Sequence, residues 1–201
     1  PGVDYRLEES TGIARQTIRS AGTGADYPTL TAAYAAAQTG DKILVLQDQL
    51  VTGPQVFNKA IEIEFLNNSK LSLTAFTAVP VTFGTYVRTK NFLLELTHPG
   101  TYTTPFVFND IGTYHANIGL ELAGVGVIVT NAFMLGAGSF ITYIEGYIKI
   151  GAASITNVIG NLSGFVSHNV VIRDKDNGVT HDLLNRMPPI QEVPTGVVDG
   201  V

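Results

Sequence analysis

Cysteine and tryptophan are both absent from the 201 residues. Without cysteine the chain can build neither a disulfide framework nor a thiolate metal site, so stability has to come from packing. Charge is scarce too: Asp, Glu, Lys and Arg make up 14% of the chain, against roughly 25% in ordinary soluble domains. A surface so poor in charge is expected to be covered in an oligomer. Net charge is −5 and the few Lys and Arg are scattered, which excludes nucleic acid and anionic membrane surfaces from the expected partners. No apolar run reaches the roughly 18 residues of a membrane span. The stretch 124–135 comes nearest, and Thr130, Asn131 and its glycines interrupt it, so no membrane insertion is expected. The chain does not open on the basic, apolar and small residues of a signal peptide, and Pro1 in place of Met leads us to expect a piece of something longer.

What is present is short alternation, repeated. "AIEIEF" at 60–65, "NFLLEL" at 91–96, "NIGLEL" at 117–122, "YIKI" at 147–150 and "NVVIR" at 169–173 each place apolar residues two apart, which in a strand sends them to one face. Ile61, Phe92, Ile118, Ile148 and Val170 align as equivalent positions, with steps of 31, 26, 30 and 22 residues, the size of solenoid coils. Asn91, Asn117 and Asn169 precede the first apolar residue of their strands. Asparagine accepts the left-handed backbone of a corner, and equivalent asparagines can stack. Alternation alone also fits an antiparallel sandwich whose asparagines are unrelated turn residues.

"AGTGADYPTLTAAYAAAQTGDKILVLQD" at 21–48 separates these two. A stack of coils has an open end that must be covered, and here Pro28 is placed for a first helical turn with Asp26 as candidate cap. Leu30, Ala33, Tyr34 and Ala37 form one stripe of the helix. "TGD" then ends it, and "KILVLQD" is expected to be the first strand of the first coil.

With Gly22, Gly24, Asp26, Tyr27, the alanine-rich 32–37, Gly40, Asp41 and the strand at 43–46, residues 21–65 resemble the opening of the pectin-lyase-like right-handed parallel β-helix family; beyond them only the repeat carries the likeness. The resemblance implies an all-β fold, a right-handed parallel β-helix with a short N-terminal capping helix. The division that follows is an arm or linker at 1–20, the capped β-helix at 21–186 and an extended tail at 187–201. Within that family the low charge and capping helix are most similar to β-helical phage tail spikes and tail fibres. That likeness implies a non-enzymatic virion protein of the phage tail, extracellular, homotrimeric, touching other tail proteins and a bacterial surface polysaccharide. A carbohydrate-active enzyme, a polysaccharide lyase or glycosidase with its site on or between subunits, is the alternative, and a secreted bacterial β-helix adhesin is a third.

The chemistry of the family's enzymes does not carry over residue by residue. "LQDQL" at 46–50 resembles a Gln-Asp-Thr motif of pectin esterases, but Gln49 stands where threonine would, and the later elements, one of which ends in tryptophan, are missing; it reads as a strand exit. "GTGADY" has Tyr27 at the third glycine position of a dinucleotide loop. "DKDNG" at 174–178 spaces Asp174 and Asp176 as calcium loops do, but its glycine comes one residue early and no later Glu follows, so it reads as a charged turn. His98, His115, His168 and His181 share no metal-ligand spacing. No catalytic, cofactor-binding or metal residue is therefore expected, and no cofactor. Glu95 and Glu121 remain as candidate carbohydrate contacts: at the same offset from Phe92 and Ile118, they would stand about 5 Å apart on the outer face of neighbouring coils, unless the loops shift them or Lys90 or Lys149 neutralises them.

Overall fold

Apolar residues two apart give each strand one water-averse face, and in the computed structural model of the chain those faces turn inward on a shared core. The structure describes residues 16–84, 87–108, 113–135, 141–161 and 167–185. Among them are sixteen strands and one helix. β1 (Ile18–Ala21) leads to α1 (Leu30–Ala36), followed by β2 (Lys42–Val45), β3 (Gln49–Val51), β4 (Gln55–Phe57), β5 (Glu62–Phe65), β6 (Leu71–Leu73) and β7 (Val81–Phe83). The longer strands come later: β8 (Arg88–Leu96), the short β9 (Gly100–Tyr102) and β10 (Phe106–Phe108), then β11 (Thr113–Leu122), β12 (Val127–Leu135), β13 (Ile141–Lys149), β14 (Ser154–Asn161), β15 (Ser167–Asp174) and β16 (Thr180–Asn185).

Two parallel sheets result. One has ten strands, with β1, β2, β5, β8, β11, β13, β15 and β16 in order and β3 and β6 alongside; the other has six, β14, β12, β10, β7 and β4, with β9 beside β12. Successive coils contribute one rung to each sheet, so the chain winds as a β-solenoid of about five turns. Among the described strands only β16 runs antiparallel, folding back on β15.

Inside, side chains stack in columns. Ile43, Ile63, Thr89, Ala116, Ile144 and Val170 form one, and Leu71, Leu94, Leu120 and Ile148 another; all of them are buried. Phe92 faces Ile118 as the alignment predicts. The other aligned positions are displaced: Ile148 pairs with Leu120, two residues from the predicted Ile118, and Val170 with Ile144, four residues from the predicted Ile148, while Ile61 lies just ahead of β5. Because strand side chains alternate with period two, an even error keeps these residues on their predicted face. The predicted asparagine column is also corrected. Asn91, at φ 51°, does meet Asn117, whose Oδ1 accepts its N–H at 3.1 Å, but Asn169 is the register partner of Tyr143. A side-chain asparagine pair occurs instead on the six-stranded sheet, where Asn157 Nδ2 donates to Asn131 Oδ1 at 3.0 Å.

The six-stranded sheet lines its inner side with phenylalanine. Phe83 stacks on Phe57 at 5.7 Å and on Phe108 at 5.2 Å, and Phe106 on Phe133 at 5.4 Å, with Phe92 of the opposite sheet edge-on to Phe83 at 5.4 Å. Among the described residues, every charged one that stands in a strand belongs to the ten-stranded sheet; β4, β7, β9, β10, β12 and β14 contain none.

The helix covers the core near its N-terminal end, burying Leu30, Ala33 and Ala37. Its cap is Thr29 rather than Asp26: the Thr29 hydroxyl accepts from Ala32 N–H at 3.1 Å, while Asp26 is drawn off to Ser20, accepting from its N–H and its hydroxyl. That partner exists because β1 precedes the helix, a strand the alternation does not reveal since only Ala21 of its four residues is buried. Gln49, the residue that breaks the esterase-like motif, is buried and accepts the Leu30 N–H at 2.8 Å. At the other end Lys59 Nζ donates to the carbonyls of Tyr34, Ala35 and Ala37 at 2.7, 3.1 and 2.8 Å. An ammonium on unsatisfied C-terminal carbonyls opposes the negative end of the helix dipole. Lys59→Ala is expected to cost about 1 kcal/mol, a fall of roughly 2–4 °C in Tm at this chain length. An unchanged thermal melt would show that the lysine does not cap the helix.

Candidate functional site

Alternation that buries one face of β8, β11 and β13 leaves the other face to water, and this outer face of the ten-stranded sheet carries the charge. Glu95 and Glu121 are direct register partners on β8 and β11, adjacent as their offsets predict, but they do not form a free pair. Glu95 receives the Lys70 ammonium on Oε1 at 2.6 Å and the Ser72 hydroxyl on Oε2 at 2.8 Å. Glu121 accepts the Tyr147 hydroxyl at 3.3 Å. Lys149 stands opposite Glu121 in register, and Lys90 pairs elsewhere.

Tyr147 is the neighbour that sequence reasoning missed, and the glycine opposite it is the signal. In register Tyr147 faces Gly119, and a Cβ at Gly119 would lie 2.6 Å from the ring. The bare backbone therefore seats the aromatic beside Glu121. Burial, with the Glu121 charge adding, pushes the Tyr147 phenol up to about 12, so it stays protonated and donates. Lys175 Nζ lies 3.2 Å from its ring centroid, a cation–π contact.

A second cluster surrounds an irregularity between β8 and β11. Thr89 pairs with Ala116 and Phe92 with Ile118, so Lys90 and Asn91 oppose Asn117 alone, a bulge that the left-handed Asn91 makes possible. Beside it opens a groove of about 420 Å3 lined by Glu62, Arg88, Lys90, Asn117, Tyr143 and Glu145, among others. Glu62 Oε1 is buried and lies 2.9 Å from Lys42 Nζ and 3.1 Å from Lys90 Nζ. Both contacts are ion pairs by distance, at angles outside a proper hydrogen bond. Burial alone would raise the Glu62 carboxyl, but the two ammoniums outweigh it and hold it below the usual carboxylate range. Lys42 also reaches Glu64 at 2.5 Å. The side chains of Arg88 and Glu145 have no hydrogen-bond or ion-pair partner among the described residues.

The carboxylates of the "DKDNG" turn have structural partners. Asp174 Oδ1 accepts the N–H groups of Asp176 and Asn177 within its own turn, and Asp176 Oδ2 those of Ile150 and Gly151 in the turn after β13, so both "DKDNG" carboxylates are engaged by backbone. No group of three or more His, Asp or Glu close enough to hold a metal ion occurs among the described residues. His98 Nδ1 lies 2.7 Å from the Pro99 carbonyl. His181 lines a second groove of about 570 Å3 with Ile150, Ile155 and Val158 at the C-terminal end of the stack, and for His115 and His168 only the backbone is described. Residues 187–201, the expected tail, and 1–15 of the expected arm lie outside the described residues. No helix among those described is long and apolar enough to cross a membrane.

The fold defines the class: a parallel β-solenoid, compatible with a parallel β-helix. Compared with known proteins, the chain matches no family, no curated protein and no solved structure.

Proposed function

We propose that the chain is a non-enzymatic structural and adhesion segment of a phage tail spike or tail fibre, contributing to recognition of a bacterial surface polysaccharide. The resemblance of residues 21–65 to the opening of pectin-lyase-like β-helices supplies the family. The observation that carries binding over catalysis is the occupancy of the two candidate carboxylates. A glycosidase needs one carboxyl with a proton to give and another free to attack or to activate water. Both Glu95 oxygens already accept from Lys70 and Ser72, and Glu121 holds Tyr147.

Homotrimeric assembly belongs to the same reading, supported by the uncharged six-stranded sheet, on which Val56 and Ile128 are exposed. Desolvating such a face costs no ion its hydration, so it suits contact with other copies.

Incubation with capsule or lipopolysaccharide preparations, followed by assays for bound glycan, new reducing ends and unsaturated products, tests the function. Binding without products is expected, from a species of three-chain mass in solution. New ends would favour the polysaccharide lyase or glycosidase reading instead, and a monomeric mass across micromolar concentrations would remove the trimer.

A further inference from the structure

We propose that the free edge of β14 is a strand-acceptor site and that its occupant is the chain's own segment 192–199, added antiparallel as a seventh strand of the six-stranded sheet. The inference does not depend on what the chain binds.

The two sheets end differently. On the ten-stranded sheet β15 is covered by β16, whereas β14, the last rung of the six-stranded sheet, pairs with β12 alone among the described residues. Its inner side is open as well. Tyr102 and Val129 are wholly buried in one column and Val81, Phe106 and Phe133 in another, yet Ile155 and Ile159, which continue those columns, are only half-buried. They line the groove of about 570 Å3 at the end of the stack together with His181 of β16. The strand itself, "SITNVIGN", has neither charge nor proline, the devices that keep an exposed edge from pairing. Eight such residues beside an open apolar groove call for another strand. A second copy stacked head to tail does not supply one, because α1 already covers the core near the N-terminal end.

The chain itself arrives at the right place. β16 ends at Asn185, the partner of His168 near the start of β15, and therefore at the corner through which the chain came from β14. Sixteen residues, 186–201, follow it in the sequence and lie outside the described residues; extended at about 3.3 Å each, they reach roughly twice the length of β14. Carrying the β15–β16 pairing one for one around that corner sets Glu192 opposite Asn161 and Asp199 opposite Ser154. In that register Pro194 meets Ile159 and Val198 meets Ile155, so apolar residues fall on the two half-open columns, and the uncharged run 193–198 lies along an uncharged strand. Pro188 and Pro189 fall in the corner. Pro194 lacks an N–H, which an edge strand tolerates, and with Glu192 and Asp199 at its ends the added strand carries the charge and the proline that β14 lacks.

The test uses the full chain. Native-state amide exchange followed by NMR is expected to find every N–H of Ser154–Asn161 protected, whereas a bare edge leaves alternate ones open to exchange. Val198→Asp, which puts a carboxylate on Ile155, should speed those alternate amides about tenfold or more and leave the β11 amides as they were. Because the chain has no cysteine, Asn157→Cys combined in turn with Pro194→Cys, Gly196→Cys and Val198→Cys allows only one disulfide within a chain. Oxidation should join the Gly196→Cys pair fastest, at monomer mass on a denaturing gel. Alternate unprotected amides in the parent, or a Val198→Asp chain whose β14 exchange is unchanged, overturns the inference. So does a cross-link that appears only at dimer mass, which would seat another copy on the edge, or the lack of a cross-link in all three pairs.

Discussion

A Leu120→Asp chain is expected to lose its strand signal and its cooperative melt. Leu120 is wholly buried, between Leu94 and Ile148 in a column that crosses four coils, and every direction open to a new carboxylate there leads to other apolar side chains. Removing the leucine costs about 2–5 kcal/mol in contacts and cavity. An unpaired buried charge adds roughly 3–5 kcal/mol, or the group takes up a proton and remains a buried polar group without partners. The sum rivals the 5–15 kcal/mol that holds an ordinary domain together. One residue beyond Leu120's partner Ile148, Lys149 points outward and is exposed, so Lys149→Ala should change stability by no more than about 0.5 kcal/mol. Circular dichroism and a thermal melt of the two variants decide the matter: a normally melting Leu120→Asp protein would sink the register of the whole ten-stranded sheet.

Phe83→Ala should be the next most damaging change. The ring is 1% exposed and touches four others: Phe57 and Phe108 stacked at 5.7 and 5.2 Å, Phe106 nearly parallel at 6.1 Å, and Phe92 edge-on at 5.4 Å. It thereby joins three rungs of the six-stranded sheet to the opposite sheet. Truncating a buried phenylalanine costs about 3–5 kcal/mol, and in a chain of this length each kcal/mol moves Tm by about 2–4 °C, so a fall of about 6–20 °C is expected. Phe83→Leu keeps most of the apolar volume and should fall less. A Phe83→Ala melt within 2 °C of the parent would mean that the phenylalanine ladder does not hold the sheets together.

Much of the architecture was legible because its cause is local. The pairs Phe92 and Leu94, or Ile118 and Leu120, state their burial through alternation, and "LTAAYAAA" states its helix through propensity. The asparagine at 91 also declared its left-handed corner. The candidate site was half legible: equal offsets brought Glu95 and Glu121 together correctly, but gave no hint that Lys70, 25 residues before Glu95, would take one of them. The groove was missed altogether. Arg88, Asn117 and Tyr143 belong to three different coils, and nothing in the spacing of any one strand connects them.

What the sequence determined alone is which side of each strand meets the core, where the helix lies, and that no disulfide or thiolate metal site can contribute; covalent geometry sets those within a few residues. Register between coils, the displacement of Ile148 and Val170 by two and four residues from their predicted partners, the transfer of the helix cap from Asp26 to Thr29 and the confinement of the described strands' charges to one sheet were decided only by tertiary structure. A period-two pattern is unchanged by a slip of two residues, so the turns and the bulge at Lys90 and Asn91, acting through contacts some 22–28 residues apart, choose which of the equivalent registers is built.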